Sequence, residues 1–241
     1  MAPASVTFVM PAYNEEQRLG DSLARLRAYA GAQPYEATIV VVDDGSSDGT
    51  AAVARAAEGV VLLQHERNRG KGAAVRTGAL AAGGEAVVSM DADLAMPPEE
   101  TAELLAALDA GADIAAGSRV KAGGGDMRAS QPAWRRLGGR AFALVRRRLL
   151  LADIQDTQCG FKAFRRDAAR AVFSRQRLEG WAFDAEVLYL AQKLGLTIEQ
   201  VPIEWHHVEG SSFRLGLRSA LREVLDLLRI RWLHRGVRPE R

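Results

Sequence analysis

The stretch Val-Val-Ser-Met-Asp-Ala-Asp, residues 87–93, decides the fold that the sequence predicts. A short run suited to a buried strand leads directly into two carboxylates. Polar side chains also follow two apolar runs upstream, where the run 6–10 is followed by Asn14 and Glu15 and the run 38–42 by Asp43 and Asp44. Buried parallel strands read as short apolar runs, and α/β sheets bind ligands at the carboxyl ends of their strands. We therefore expect an α/β protein with a mostly parallel, doubly wound sheet and a polar site at one edge.

Working outward from this stretch, strand and helix patterns alternate along the chain. Further strands are predicted at 60–64, 86–90, 113–116, 160–164 and 196–203. Helices are predicted at 19–29, 50–57, 73–82, 99–108, 134–151, 184–194 and 217–233. The glycine-rich segment 121–131 has the composition of a hinge or lid. We expect one domain over 1–212, with a nucleotide-binding part at about 1–120 and an acceptor part at about 121–212, followed by an amphipathic helix and tail over 213–241.

Composition excludes several classes of protein. The chain has 241 residues, of which 48% are hydrophobic and 26% charged, with a formal net charge of +2. A chain of this length and apolar content buries a substantial core and is not mainly disordered. Cys159 stands alone, which excludes a disulfide scaffold. No apolar run approaches the roughly 18 residues of a membrane span, and no signal pattern is evident at the start, so we expect a cytoplasmic protein.

The small net charge conceals a division between the two halves. Residues 1–126 carry 18 acidic and 10 basic side chains, a balance of −8, whereas residues 127–241 have a balance of +10. A coding bias towards arginine explains the abundance of that residue but not the change of sign at mid-chain. The division indicates that the second half faces an anionic partner.

Three polar segments are candidates for binding a metal ion, a nucleoside and a phosphate group. Asp91 and Asp93 follow a predicted strand and suit a divalent cation shared with diphosphate oxygens, although isolated Asp-x-Asp tripeptides are usually solvated turns. Asp43 and Asp44 begin a segment in which one carboxylate could bind the base or ribose of a nucleotide. Alternatively, the segment is a simple turn followed by a helix cap. The stretch Asn-Arg-Gly-Lys-Gly at 68–72 places a cation and a helix start where a phosphate could bind.

Together these segments resemble the family 2 glycosyltransferases with a GT-A fold. The resemblance is carried by Pro-Ala-Tyr-Asn-Glu-Glu at 11–16, Val-Asp-Asp-Gly-Ser at 42–46, the stretch 68–72 and Asp-Ala-Asp at 91–93. The second half narrows it to the dolichyl-phosphate β-glucosyltransferases and their prokaryotic polyprenyl-phosphate relatives. The motifs there are Gly-Ser-Arg at 117–119, Asp-Thr-Gln-Cys-Gly-Phe-Lys at 156–162, Trp-Ala-Phe-Asp-Ala-Glu at 181–186 and Val-Pro-Ile-Glu-Trp at 201–205. The resemblance runs from about residue 6 to residue 213.

The resemblance implies an inverting transfer of glucose from UDP-glucose to a polyprenyl phosphate, with Mg²⁺ or Mn²⁺ as cofactor. It implies a nucleotide-sugar site made of Pro11, Ala12, Tyr13, Glu15, Asp43, Asp44, Lys71, Asp91 and Ala92, with Asp91 and Asp93 holding the metal. It implies an acceptor-phosphate site made of Arg119, Arg128, Arg140, Gln158 and Arg214.

The resemblance places catalysis on Asp93, Asp156 and Asp184 but leaves the general base open. Asp184 stands where many family 2 enzymes keep a catalytic aspartate, and its alternative role is a helix N-cap. Asp156 belongs to the lipid-phosphate motif, and its alternative role is to pair with a nearby arginine. Because a phosphate monoester is largely dianionic at neutral pH, we expect positioning and charge to matter more than a strong base.

Two positions depart from the family pattern. Ser212 follows Gly-Ser in the late loop where related enzymes often carry Lys, and Arg214 is a candidate to replace that charge. Ala95 stands where some mannosyl relatives carry a ligating Gln. We also expect no N-terminal membrane anchor of the kind that the eukaryotic glucosyl relatives carry.

Two helical patterns suggest contact with a membrane surface. In the last helix the apolar positions Leu217, Leu221, Val224, Leu225, Leu228 and Trp232 form a stripe among arginines. Packing of such a stripe on the core is the commoner case, but a second basic helix at 134–151 favours an interfacial role. We expect a peripheral enzyme at the inner face of the cytoplasmic membrane.

Other functions stay open at this point. A GDP-mannose donor or another acceptor would keep the fold, and a non-catalytic nucleotide-binding subunit is a different class. A sugar-phosphate nucleotidyltransferase lacks its glycine-rich loop here, and no nucleic-acid-binding module accompanies the arginines at 146–148.

Overall fold

A mixed sheet with helices on both faces forms the body of the protein. In this computed structural model the described residues are 3–120, 150–151, 153–204 and 217–239, with residues 217–224 described by their backbone alone. The strands are β1 Ser5–Ala12, β2 Glu36–Asp43, β3 Val60–Gln64, β4 Ala86–Ser89, β5 Ile114–Ser118, β6 Lys162–Arg165 and β7 Ile198–Pro202. The helices are α1 Glu16–Gly31, α2 Thr50–Ala56, α3 Lys71–Ala81, α4 Thr101–Asp109, α5 Arg166–Arg175, α6 Phe183–Leu194 and α7 Leu217–Leu233.

The strand order brings the polar segments to one edge of the sheet. Among the described residues the order is β3-β2-β1-β4-β6-β5-β7. Strands β1, β2, β3 and β4 are mutually parallel, β6 is antiparallel to both β4 and β5, and β7 is parallel to β5. The carboxyl ends of β1, β2, β4 and β5 therefore meet the amino end of β6. The segment 153–161, which leads into β6, reaches the same edge for that reason.

Alternation along β1 divides the core into two layers. Phe8 and Met10 pack with Leu23 of α1 and Leu104 of α4. Val9 points to the opposite face of the sheet and packs beneath α3, α5 and α6. Successive side chains of a strand point to opposite faces, so one apolar run serves both layers.

The expected α/β class with a mostly parallel sheet is confirmed, with two additions. β6 runs against its neighbours, and α5 follows it where the sequence analysis assigned no element. The signal for α5 was present in Ala168, Ala169, Val172 and Phe173, which are buried and spaced for one helix face. The predicted helix at 134–151 and the segment 121–131 lie outside the described residues apart from 150–151, and the division into domains stays a prediction.

The last helix is fixed to the core through a buried polar contact. Leu227 and Ile230 of α7 are buried, and Nε2 of His234 lies 2.6 Å from Oε1 of Glu186 in α6. Glu186 is fully buried and also accepts the N–H groups of Arg177 and Leu178 at 2.8 Å each. In the part of the chain that the structure describes, every helix is too short or too polar to cross a membrane.

Candidate active site

Four carboxylates cluster beyond the carboxyl ends of β1, β2 and β4. Asp91 and Asp93 follow β4, Glu15 follows β1, and Asp48 lies in the loop after β2. Burial raises the pKa of Glu15, and the nearby charges of Asp93, Asp48 and Asp91 raise it further, against the opposing effect of Arg18, whose Nε lies 2.6 Å from Oε2 of Glu15. Like charges held this close together attract a cation.

The Asp91 and Asp93 pair suits a divalent metal. Burial raises the pKa of Asp93, and the neighbouring Asp91 carboxylate adds to that shift, while Oδ1 of Asp93 accepts the N–H of Ala95 at 3.1 Å. Within the described ranges, no three Asp, Glu, His or Cys side chains form a complete metal site. Two carboxylates whose repulsion a cation would relieve, with phosphate oxygens as the remaining ligands, fit Mg²⁺ or Mn²⁺.

Lys71 brings a positive charge against this pair. It is the first residue of α3, and its Nζ lies 2.6 Å from Oδ1 of Asp91 and 5.0 Å from the ring centroid of Trp181. Burial alone would lower the pKa of Lys71, but the charges of Asp91 and Asp184 outweigh burial, and the net shift is upward. The ammonium is therefore a permanent cation at the start of α3, and the partial positive charge at the N-terminal end of a helix also favours a diphosphate.

Gly160 leaves room for the contact between Lys71 and Asp91. A Cβ at this position would lie 2.8 Å from Oδ1 of Asp91 and 2.9 Å from Nζ of Lys71. The backbone before β6 thus lies directly against the ion pair, and a side chain at position 160 would have to displace Asp91 and Lys71.

A buried aspartate shapes the loop that carries Lys71. One Asp44 oxygen lies 2.6 Å from Nδ1 of His65 and accepts the N–H of Arg69 at 3.0 Å, and the other accepts the N–H of Gly70 at 2.7 Å. Asp44 therefore holds the loop 65–70 in place. Its predicted contact with the nucleotide stays a prediction.

The loops after β1 and β2 are bonded to each other. The N–H of Asn14 donates to Oγ of Ser46 at 2.9 Å, and the N–H of Ser47 donates to Oδ1 of Asn14 at 2.9 Å. Asp43 is buried at the end of β2 and accepts the N–H of Ser46 at 3.1 Å. Asn14 itself has a φ of 55°, an uncommon backbone conformation that these contacts maintain. Pro11 and Ala12 are the last two residues of β1, and Tyr13, which follows them, is exposed. Ala92 is buried between the two aspartates.

Asp156 and Arg119 neutralise each other beside β5. Arg119 donates from Nε at 2.7 Å and from a terminal nitrogen at 2.9 Å, so both carboxylate oxygens are occupied, and its backbone N–H adds a bond of 3.1 Å. The pairing with arginine that the sequence left open is thus present. A carboxylate held in this way is poorly suited to accept a proton, which weighs against Asp156 as the general base.

Asp184 forms a second buried ion pair. It lies in the first turn of α6, and Nζ of Lys162 donates to it and to the carbonyl of Cys159. The N-cap position of α6 is Ala182, so the alternative role of Asp184 as that cap is not seen. Burial raises the pKa of Asp184, against the opposing charges of Lys162 and Lys71. Asp184, Lys71 and Asp91 therefore form one connected set of charges.

Lys162 is the residue of the site to which the sequence analysis gave no role. Its side chain is only 3% exposed although it is a lysine. The signal was its place in the stretch 156–162, since a lysine at the start of a buried strand needs a carboxylate partner. Gln158 is exposed in the same loop, and the predicted acceptor residues Arg128, Arg140 and Arg214 lie outside the described residues.

Known proteins match this chain in sequence over most of its length. The sequence model described as "Glycosyl transferase family 2" matches residues 7–173. The dolichyl-phosphate beta-glucosyltransferase of Drosophila melanogaster is 38% identical over 86% of this chain and 68% of its own length. The enzyme of that name from Homo sapiens is 35% identical over 94% of this chain and 74% of its own length.

Solved structures share the fold. Glucosyl-3-phosphoglycerate synthase from Mycobacterium tuberculosis, in complex with UDP, aligns with a TM-score of 0.68 over 98% of this chain and 82% of its own, at 21% identity. Another structure of that enzyme holds Mn²⁺ and UDP-glucose. Mannosyl-3-phosphoglycerate synthase from Rubrobacter xylanophilus aligns with a TM-score of 0.72 over 96% of this chain and 74% of its own, at 20% identity. The matched family, the curated relatives and the GT-A architecture agree, and the chain belongs to the family 2 glycosyltransferases.

Proposed function

We propose that this glycosyltransferase moves glucose from UDP-glucose to a polyprenyl phosphate with inversion at the sugar carbon. The observation that carries the proposal is the set of charges Asp91, Asp93, Lys71 and Asp184 at the carboxyl edge of the sheet. The names of the curated relatives support the sugar and the class of acceptor. A neighbour crystallised with UDP-glucose and Mn²⁺ supports the donor and the cofactor.

The donor half of the site would bind the nucleotide between the loops after β1 and β2. Pro11, Tyr13 and Asp43 would contact the nucleoside, and the hydrogen bonds between Asn14 and the serines after β2 hold the two loops together. Lys71 would neutralise diphosphate oxygens from the start of α3. Preorganised charge of this kind acts on the leaving group without reorganisation during the reaction.

Asp91 and Asp93 would hold Mg²⁺ or Mn²⁺. The bound ion would supply charge neutralisation for the departing diphosphate. Nζ of Lys71 lies 2.6 Å from Oδ1 of Asp91, so the ammonium would also hold this carboxylate in place.

The acceptor half would position a phosphate whose own charge makes it a ready nucleophile. A phosphate monoester has its second pKa near 6 and needs little help from a base at neutral pH. Asp184, held by Lys162, is the better placed of the two candidate aspartates, because both oxygens of Asp156 are taken by Arg119. We assign Asp184 to orienting the acceptor and receiving any remaining proton, and Arg119 to the acceptor phosphate.

A panel of donors and acceptors tests this function. Purified protein is incubated with radiolabelled UDP-glucose or GDP-mannose, with polyprenyl phosphate or 3-phosphoglycerate as acceptor, and with Mn²⁺ or a chelator. We expect lipid-linked glucose from the UDP-glucose and polyprenyl-phosphate pair alone. Asp91→Asn and Asp93→Asn should lower this product at least 100-fold, whereas Asp21→Asn, at an exposed position of α1, should match the wild type. Transfer to 3-phosphoglycerate, or undiminished product from both site variants, would overturn the proposal.

The proposal also places the enzyme at the inner face of the cytoplasmic membrane, because its acceptor is a membrane lipid. We propose no contact of this enzyme with nucleic acid.

A further inference from the structure

An apolar stripe on α7 faces solvent. Leu225, Leu228 and Trp232 are 56%, 47% and 63% exposed. At about 100° per residue the three side chains lie within about 60° of arc on the helix surface. The buried side chains Leu227 and Ile230 lie roughly on the opposite side of the helix. α7 therefore packs on the core through one face and presents a second apolar face outward.

Leu225, Leu228 and Trp232 form what we call the α7 stripe. Basic side chains border it. The guanidinium of Arg235 lies 5.3 Å from the ring centroid of Trp232, and Arg229 and Arg231 are also exposed. Residues 217–239 carry six arginines and two acidic residues. An exposed apolar row with arginines beside it is the pattern of a helix that lies in the headgroup region of a membrane.

A basic cavity opens beside the α7 stripe. It has a volume of about 340 Å³ and is lined by Leu150, Tyr189, Lys193, Arg231 and Arg235. Tyr189 and Lys193 of α6 and Arg231 and Arg235 from the end of α7 and the turn after it bring three cationic side chains to its wall. Arginine and lysine bind phosphate groups through charge-assisted hydrogen bonds. The cavity therefore has the size and charge to receive the phosphate of an anionic lipid headgroup.

We propose that the α7 stripe and this cavity together dock the protein on an anionic lipid surface. The stripe enters the boundary between headgroups and acyl chains, and Lys193, Arg231 and Arg235 bind a headgroup phosphate. The glutamate–histidine contact between α6 and α7 keeps the docking face rigid relative to the sheet. The surface lies outside the transfer site, so docking and transfer can fail separately.

Flotation with lipid vesicles tests the proposal on the full chain. The vesicles contain phosphatidylcholine alone or with about 30% phosphatidylglycerol, at low and high salt. We expect binding to the anionic vesicles that weakens as salt rises. Arg231→Gln with Arg235→Gln should lower the partition coefficient about 30-fold, at roughly fivefold per arginine. Leu228→Ser with Trp232→Ser should lower it at least about tenfold at either salt concentration.

Matched controls separate docking from folding and from catalysis. Leu80→Ser and Arg170→Gln alter exposed residues elsewhere and should leave vesicle binding unchanged. All variants should keep the wild-type melting temperature and should transfer glucose to a short-chain prenyl phosphate in detergent at the wild-type rate. A wild-type protein that floats with vesicles but transfers no sugar would refute the proposed function and leave docking standing.

Three results would overturn docking. They are no flotation with anionic vesicles, equal flotation of wild type and the stripe variant, and a dimer in light scattering that the stripe variant converts to a monomer. The last would assign the α7 stripe to a second copy of this chain.

Discussion

The buried pair of Lys162 and Asp184 offers the sharpest test of how the site is built. The two residues are 2% and 3% exposed. Lys162→Met keeps the length of the side chain but leaves the Asp184 carboxylate buried without its main partner. Removal of one member of a buried pair costs about 3–5 kcal/mol of the free energy of unfolding. For a chain of this size that loss corresponds to a melting temperature lower by roughly 10 °C.

Urea denaturation of a double-mutant cycle measures the pair itself. Lys162→Met combined with Asp184→Leu replaces both charges by apolar groups, and we expect its stability to return to within about 2 kcal/mol of the wild type. The remaining deficit reflects the Cys159 carbonyl, which loses the ammonium as a donor. Arg25→Met, which breaks an exposed pair with Glu99, should cost less than about 1 kcal/mol.

The pH dependence of stability gives an independent readout. Burial raises the pKa of Asp184 in the folded protein, so this carboxyl stabilises the fold most at pH values below its unfolded pKa of about 3.9. The contribution is lost as pH rises through the folded pKa. Without Lys162 the folded pKa rises further, and stability of the single variant should fall more steeply than that of the wild type between pH 5 and 8. A single variant as stable as the double variant, with a flat pH profile, would refute the reasoning.

Four further outcomes are expected. Gly160→Ala should displace the side chains of Lys71 and Asp91 and lower kcat/KM about 10- to 100-fold in the transfer assay, while calorimetry shows a melting temperature within a few degrees of the wild type. Lys71→Arg should lower kcat/KM at least about tenfold, because a planar guanidinium does not fit the space of an ammonium; wild-type activity would contradict this. Burial, with Asp156 nearby, raises the pKa of the Cys159 thiol to about 11, so its alkylation followed by mass spectrometry should be at least about 100-fold slower at pH 8 than that of a free thiol and should still rise at pH 10. His234→Ala should cost about 2 kcal/mol in urea denaturation and speed proteolysis of α7, and His234→Gln should restore part of the loss.

Local sequence pattern predicted many of the individual strands and helices. The predicted strand at 60–64 is β3 to the residue, and the predicted helix at 217–233 is α7 to the residue. Such elements were predictable because short apolar runs and helical spacing are properties of neighbouring residues. The reversed direction of β6 was not predictable in that way, because strand direction depends on which distant strand it joins.

The site residues likewise fall into two groups, those that local sequence identifies and those whose partners depend on the fold. The acidic residues after β1, β2 and β4 were found because each follows its own strand. The pairing of Arg119 with Asp156 joins residues 37 positions apart, and that of Lys162 with Asp184 joins residues 22 apart. Both depend on how β5, β6 and α6 meet, which a single sequence does not state. The sequence could therefore list Asp156 and Asp184 as candidates for the base, whereas only the fold shows that their partners differ.

The few lysines of this chain lie mostly at the two sites proposed above. The chain has 28 arginines but only four lysines, Lys71, Lys121, Lys162 and Lys193. Two of the four lie in the cluster of charges at the sheet edge, and a third lines the basic cavity beside α7. Arginine needs room for a planar fork, whereas an ammonium is compact and approaches a carboxylate from any direction. At Lys71 the ammonium lies against both the Asp91 carboxylate and the backbone of Gly160, and at Lys162 one nitrogen joins a carbonyl to a carboxylate. In a chain otherwise rich in arginine, lysine thus occupies the two positions of this site where a compact cation lies closely packed against a buried or half-buried carboxylate.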